Sequence, residues 1–287
     1  MLTKRIVLLF FRDKANVFFS LLAVLIILAL YILFLGDMME QTLQSHLGFQ
    51  SDKISVTMSS LILAGMVAVT SVTSCMGSLG ISVEDKEAAA KDFLTSPASR
   101  GKITSGYLLG SAVIGFIMTL VALAVSLVYI IINGGSVPGF TNFLLLLLTV
   151  VLSVLCGNSM VYLLSVFIKS QNAFSAVSTV IGTLIGFLMG IYVPIGAMPV
   201  GVQWVIKCFP MSHAASMFRQ LLADDNLSEL FAGAPPEALE GFRDMFGVVF
   251  TYGNHTSSFW LSAAALAITT IVFFSLSLLI MRTRKLK

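Results

Sequence analysis

The sequence predicts an all-α integral membrane protein with six transmembrane helices and both termini in the cytoplasm. Three observations predict it. Of 287 residues, 57% are hydrophobic and only 11% are charged, too little charge to cover a water-facing surface. The charges that do occur are separated by long uncharged intervals, and a charge at mid-bilayer is costly. Lys and Arg, moreover, collect on one side of the layout that those intervals define. A net charge of +3 is too small for a nucleic-acid binder. Transmembrane β-barrels are excluded, because their strands alternate over about ten residues and these runs are continuously apolar.

The first element is an interfacial helix over residues 2–14. Leu2, Ile6, Leu9 and Phe10 share a helical face opposite Lys4, Arg5 and Arg12, so the segment either lies in the headgroup layer or is the positive flank of helix one. Lys14 to Asp37 encloses 22 uncharged residues, and a span needs about 20 at 1.5 Å per residue. Helix one therefore covers about 15–36, a run too long for a cleaved signal and better read as a signal anchor. Lys53 to Glu84 encloses 30 uncharged residues and holds helix two, about 54–83. The 66 residues between Lys102 and Lys169 hold two spans, about 103–132 and 143–168, because Asn133–Gly139 is rich in glycine and contains Pro138. Lys169 to Lys207 and Asp244 to Arg282 enclose 37 residues each. They hold helix five, about 173–196, and helix six, about 258–281. With the N-terminus inside, inner segments carry 13 Lys and Arg and outer segments 4.

Catalysis finds no support. Three cysteines (Cys75, Cys156, Cys208) and three histidines (His46, His213, His255) are scattered without metal-ligand spacing. Residues 96–103 contain the Gly-Lys of a phosphate-binding loop, but Ser96 replaces its first glycine and Ile103 its final Ser/Thr. The chain does not bind ATP by that device.

The most charged inner segment is the loop 84–102, EDKEAAAKDFLTSPASRGK. Alanines between charges favour helix, Glu87 and Lys91 form a favourable i,i+4 pair, and Pro97 stops the helix. A short helix ending in Phe93-Leu94 would fit a groove on another protein; the alternative is a solvated loop that enforces topology. This charged patch, then Phe93-Leu94-Thr95, Pro97 and Ser99-Arg100, then helix three, resembles the type-2 permease subunits of ATP-binding-cassette exporters. A second patch agrees. Residues 182–222 run from a glycine-rich helix five through Pro199, Trp204 and Pro210 to Phe218-Arg219 in the family's order. The chain departs from the pattern where Glu84-Asp85-Lys86-Glu87 replaces Glu-Arg-Glu and Ala89-Ala90 replaces Gly-Thr.

The resemblance implies one permease domain, 1–287, in the cell membrane, exporting an amphipathic drug, an antibiotic peptide or a lipid-like molecule. Loop 84–102 would be the coupling helix, with Glu84, Asp85, Glu87, Lys91, Asp92, Phe93, Leu94, Pro97 and Arg100 docking a separate ATPase subunit. ATP and magnesium would sit on that partner, with no cofactor on this chain. Two copies, or one copy and a related permease, would enclose the pathway among membrane lipids. Lys169–Asn172 would be a second contact with the ATPase.

Helix two carries a small, weakly polar stripe at helical spacing: Thr57, Ser60, Ala64, Val67, Ser71, Ser74, Ser78 and Ser82. Such a stripe either packs helices closely or lines a polar route. Gly182, Gly186 and Gly190 make two small-xxx-small steps in helix five, and Gly106 and Gly110 one in helix three. Residues 191–210, opening the outer segment 191–257, read as a re-entrant element or as an ordinary loop. Pro194, Pro199, Pro210 and Arg219 would form an outer gate, with Arg219 pairing with an outer acid or a lipid phosphate, or snorkelling to the headgroups. A secondary transporter is the main rival, but no assigned span has an internal Asp or Glu for a coupling ion. An intramembrane enzyme would need a nucleophile and base at membrane depth, which Cys75 or Cys156 alone does not supply.

Overall fold

The computed structural model describes residues 2–38, 40–41, 52–88, 100–253 and 255–283. Its elements follow from what each segment must hide. Helix α1 (Leu2–Arg12) is amphipathic, with Ile6 and Phe10 fully buried and Lys4 and Arg5 exposed. Asp13 breaks the chain for one residue and caps α2 (Lys14–Leu30), accepting from the amides of Ala15 at 3.0 Å and Asn16 at 3.2 Å. That satisfies two of the amide donors that every helix start leaves open. The first span continues through a π-helical turn, Tyr31–Leu35, and is bent by 42° between Lys14–Leu22 and Val24–Phe34.

Helix α3 (Asp52–Ala88) is the axle of the fold. It packs against α2, α4 (Arg100–Ile132), α5 (Phe140–Phe167), α6 (Gln171–Leu188) and α8 (Pro210–Leu222). Its apolar stretch is 94% buried, so protein rather than lipid surrounds it. At 1.5 Å per residue it is about 55 Å long, more than a hydrocarbon core of about 30 Å requires. Its hydroxyl stripe faces inward. Thr57, Ser60, Ser71, Ser74 and Ser78 are all buried, and each donates to a carbonyl of its own helix. Ser78 also meets Ser111 of α4 at 2.6 Å. Gly157 of α5 closes on the same face, where an added Cβ would stand 3.3 Å from the Ser71 carbonyl. Small residues admit close backbones, and here they serve the packing of helices within this chain.

Lipid-facing surface lies on the periphery. Leu109, Val113, Ile117, Val121, Val125 and Val128 form one exposed face of α4, and Ile268, Ile271 and Leu279 are exposed on α11 (Phe259–Thr283). Among the described residues five helices are long and apolar enough to span, or six where the bent first pair counts as one span. The Gly106/Gly110 step of α4 is occupied by α1: added Cβ atoms would meet Leu2 at 2.6 Å and Ile6 at 3.0 Å. Gly106→Val is therefore expected to lift α1 from its seat, at an overpacking cost of about 1–3 kcal/mol. Faster protease cleavage before Lys14 in detergent would register it, and wild-type resistance would contradict the seat.

Helix five is shorter than its composition predicts, ending at Leu188 instead of near 196. Gly190 takes φ +62°, and the amide of Ile191 bonds back to the Gly186 carbonyl at 2.9 Å. This is a left-handed helix end that glycine adopts cheaply. The chain then turns through a 3₁₀ segment (Ile195–Ala197), α7 (Val200–Cys208) and α8. Pro194 and Pro199 precede the first two, and Pro210 is the first residue of α8, where its missing amide costs nothing. Helices α9 (Asp224–Leu230) and α10 (Pro236–Met245) and a two-stranded hairpin, Thr251–Tyr252 with His255–Thr256, complete this cap before α11.

Candidate functional site

A groove of about 840 Å³ lies between α2, α3 and α6. Its two walls differ in chemistry. Phe19, Leu22, Ile26 and Leu30 of α2 make one wall apolar. Ser175, Ser178, Thr179 and Thr183 of α6, with Gly182 among them, make the other weakly polar. Thr73, Met76, Gly77 and Gly80 of α3 form the floor, Asn16 and Gln171 stand at one end, and Phe187 and Tyr192 at the other. Thr179 and Thr183 donate to the carbonyls of Ser175 and Thr179, which spends their protons and leaves lone pairs to face the cavity. The Ser178 hydroxyl is buried and makes no hydrogen bond among the described residues.

The three glycines of helix five have three different roles. At Gly182 an added Cβ meets nothing within 4 Å; at Gly186 it would strike the Tyr192 ring at 2.2 Å; Gly190 ends the helix. The face at Gly186 is thus covered by the turn that follows the helix. The residues Thr57, Ser60, Ser71, Ser74 and Ser78 do not line the groove. Most of the hydroxyls that do belong to α6, at i, i+3, i+4 and i+8 from Ser175, a stripe of the same kind as that in helix two; Ser20 of α2, Thr73 of α3 and Tyr192 add the others.

At the loop end of α3, Glu84 is exposed. The Asp85 carboxylate instead turns into the subunit, accepting from both terminal nitrogens of Arg5 (3.0 and 3.4 Å) and from the Tyr107 hydroxyl. The bond to Asp85 raises the Arg5 pKa above its ordinary value, against a smaller opposing effect of burial. Lys91, Asp92, Phe93, Leu94 and Pro97 lie outside the described residues, as do the side chains of Glu87 and Arg100.

On the other side, Arg219 departs from its expected place. It does not snorkel, and among the described residues it pairs with no acid. It is fully buried, and its guanidinium donates to four backbone carbonyls: Leu61 of α3 at 3.2 Å, Met189 at 2.6 Å and Gly190 at 3.1 Å beyond α6, and Gly247 at 3.5 Å. The oxygens at a helix C-terminus carry partial negative charge, so they substitute for a counter-ion. Gly65 and Gly247 leave the room, since added Cβ atoms would stand 3.2 and 3.1 Å from the guanidinium. Burial lowers the Arg219 pKa to about 10, so the cation persists at neutral pH. Around this strut, ion pairs tie the cap together: Lys53–Glu229 at 2.6 Å, Arg243–Asp224 at 2.7 Å and Lys207–Asp244 at 3.7 Å.

The chain matches a known family. The family model described as ABC-2 family transporter protein covers residues 40–279, a stretch that takes in α3, the groove floor, α6, the turn after it and Arg219. No curated protein matches the chain.

Proposed function

Because the chain belongs to the ABC-2 family of transporter proteins, we propose that it is the membrane subunit of an ATP-driven exporter whose motor is a separate ATPase chain. The motor holds the ATP and magnesium; this subunit supplies the route. The groove between α2 and α6 carries the reading. An apolar wall opposite a hydroxyl wall suits an amphipathic or lipid-like molecule, which keeps its tail dry while its polar group finds weak acceptors. Weak acceptors matter, because a deep trap would hold the cargo rather than release it. Two copies, or one copy and a related permease, enclose the pathway, and both termini face the cytoplasm, a placement that the Lys and Arg distribution supports.

The ATPase docks on loop 84–102, with Phe93 and Leu94 as its apolar anchors and Glu84, exposed at the loop's start, on the rim. Lys169–Asn172 gives a smaller second contact. Hydrolysis drives transport only if the ATPase binds inward-open and outward-open states unequally. Phe93→Ala with Leu94→Ala should lower the affinity for the ATPase roughly thirtyfold, the consequence of losing about 2 kcal/mol at an interface anchor. Export should fall with it while the permease stays folded. Co-purification with the ATPase and export assays decide the matter, and unchanged values in both would overturn the docking role.

A further inference from the structure

Hydroxyls line the groove from three helices, and four of them are already committed as donors. Thr179 and Thr183 of α6 donate to carbonyls one turn back, at 2.9 and 2.6 Å. Ser20 of α2 donates to the Val17 carbonyl at 2.8 Å, and Thr73 of α3 crosses to the Ser20 carbonyl at 3.2 Å. A hydroxyl has one proton and two lone pairs, so each of the four is left to accept from a bound molecule. Asn16 obeys the same logic. Its amide nitrogen donates to the Asp13 carboxylate at 2.9 Å. An ionised carboxylate only accepts, so the orientation of the amide is fixed and Asn16 Oδ1 is left as an acceptor.

The charges around the groove agree. Among the described residues no Lys or Arg lines it, so an anion finds no cation there. Phe19, Phe187 and Tyr192 add aromatic rings, whose faces are negative and attract cations. An opposing feature is the amino end of α6, where open amides favour anions. Ser170 already accepts there from the Ala173 amide at 3.3 Å, and the Asp13 charge stands behind Asn16. The Ser178 hydroxyl, buried and without a hydrogen bond among the described residues, can present either its proton or a lone pair. No Asp or Glu lines the groove among the described residues either. Attraction therefore comes from dipoles and ring faces rather than from a counter-ion, and such binding is readily reversed.

We propose that the groove selects amphipathic molecules whose polar group is a protonated amine. The ammonium donates to the lone pairs of Thr179 and Thr183 on the α6 wall, and the tail lies against Leu22, Ile26 and Leu30 of α2. This deepens the exporter reading and rests on it for the use of the site in transport. The preference for an ammonium is a property of the groove by itself.

The test places the full chain, without an ATPase, in phosphatidylcholine nanodiscs and measures equilibrium binding of radiolabelled decylammonium, decyltrimethylammonium and decyl sulfate. These probes share a tail and differ in the head. Nanodiscs carrying Gly182→Trp, which fills the groove, give the background. Decylammonium should bind above that background and at least about tenfold more tightly than decyl sulfate. Thr179→Val with Thr183→Val keeps the branched shape at two exposed positions of α6 and removes both acceptors. It should weaken decylammonium roughly tenfold and leave decyltrimethylammonium, which has no N–H to donate, little changed. A merely structural role for the threonines would move both amines alike. Decyl sulfate binding as tightly as decylammonium overturns the proposal. So does equal binding in Gly182→Trp, unchanged decylammonium binding in the double valine variant, or no binding of any probe. Failure of the chain to export with any ATPase would instead overturn the exporter reading, with the binding ratio still deciding the preference of the groove.

Discussion

Arg219→Met is expected to destabilise the purified subunit by about 3 kcal/mol and to lower its melting temperature by on the order of 10 °C. Two effects oppose each other. Removing the guanidinium relieves the cost of keeping a cation out of water, several kcal/mol even after relaxation. It also deletes three bonds of 3.2 Å or shorter, each contributing roughly 1.5–3 kcal/mol when the donor is charged. The second effect wins because the acceptors stay behind. The Met189 and Gly190 oxygens sit just past the end of α6, where they have no further helical turn to bond to, and a methionine thioether offers them no proton. Arg219→Lys should recover only part of the loss, since one compact ammonium cannot face carbonyls arriving from three separate segments. Gly247→Ala should move stability the same way: its φ is +65°, and the new Cβ would stand 2.5 Å from Ile195 and 3.1 Å from the guanidinium. Scanning fluorimetry on Trp204 and Trp260 measures all three variants. If Arg219→Met melts with the wild type, the carbonyl cage is not a strut.

The spans were legible because cost in lipid is local. Each uncharged interval had to hold at least one spanning helix, whatever its neighbours. Which side of a helix faces inward was not legible, and the serine stripe of α3 shows why. In water a polar stripe faces solvent. In a bilayer both lipid and protein interior are apolar, so Ser71 and Ser74 read the same whether they pack on Gly157 or line a route. The α6 stripe of Ser175, Ser178, Thr179 and Thr183 carries the same signal and lies on the groove, and only the position of α2 tells the two apart. Arg219 was visible as an unusual cation. Its partners were not, because they are backbone carbonyls contributed by glycine-bearing segments far away in the chain, and a carbonyl has no residue type to recognise. The end of helix five fell between these cases. Gly190 signals a helix end, yet it is also the third member of a glycine repeat, and only its positive φ shows which meaning holds.

Gly182→Trp should reduce export to near the background of empty vesicles while leaving the subunit folded. The position is chosen by what surrounds it. An added Cβ at Gly182 meets nothing within 4 Å, whereas one at Gly186 would meet the Tyr192 ring at 2.2 Å. An indole therefore enters the groove at Gly182 without displacing backbone, and it brings about 150–250 Å² of surface into a cavity of about 840 Å³. Replacing a mid-helix glycine also favours α6, since tryptophan is the better helix former by a few tenths of a kcal/mol. The melting temperature should then stay level or rise slightly as transport falls, a combination that misfolding does not produce. Gly182→Ala is the control: it gains the helix propensity, leaves the groove open, and should keep export. Size-exclusion chromatography separates the remaining possibility, because a groove used to seat a second copy would lose its assembly in Gly182→Trp before losing its cargo. Wild-type export from Gly182→Trp would show that cargo takes another path, and the hydroxyl wall of α6 would then need a different explanation.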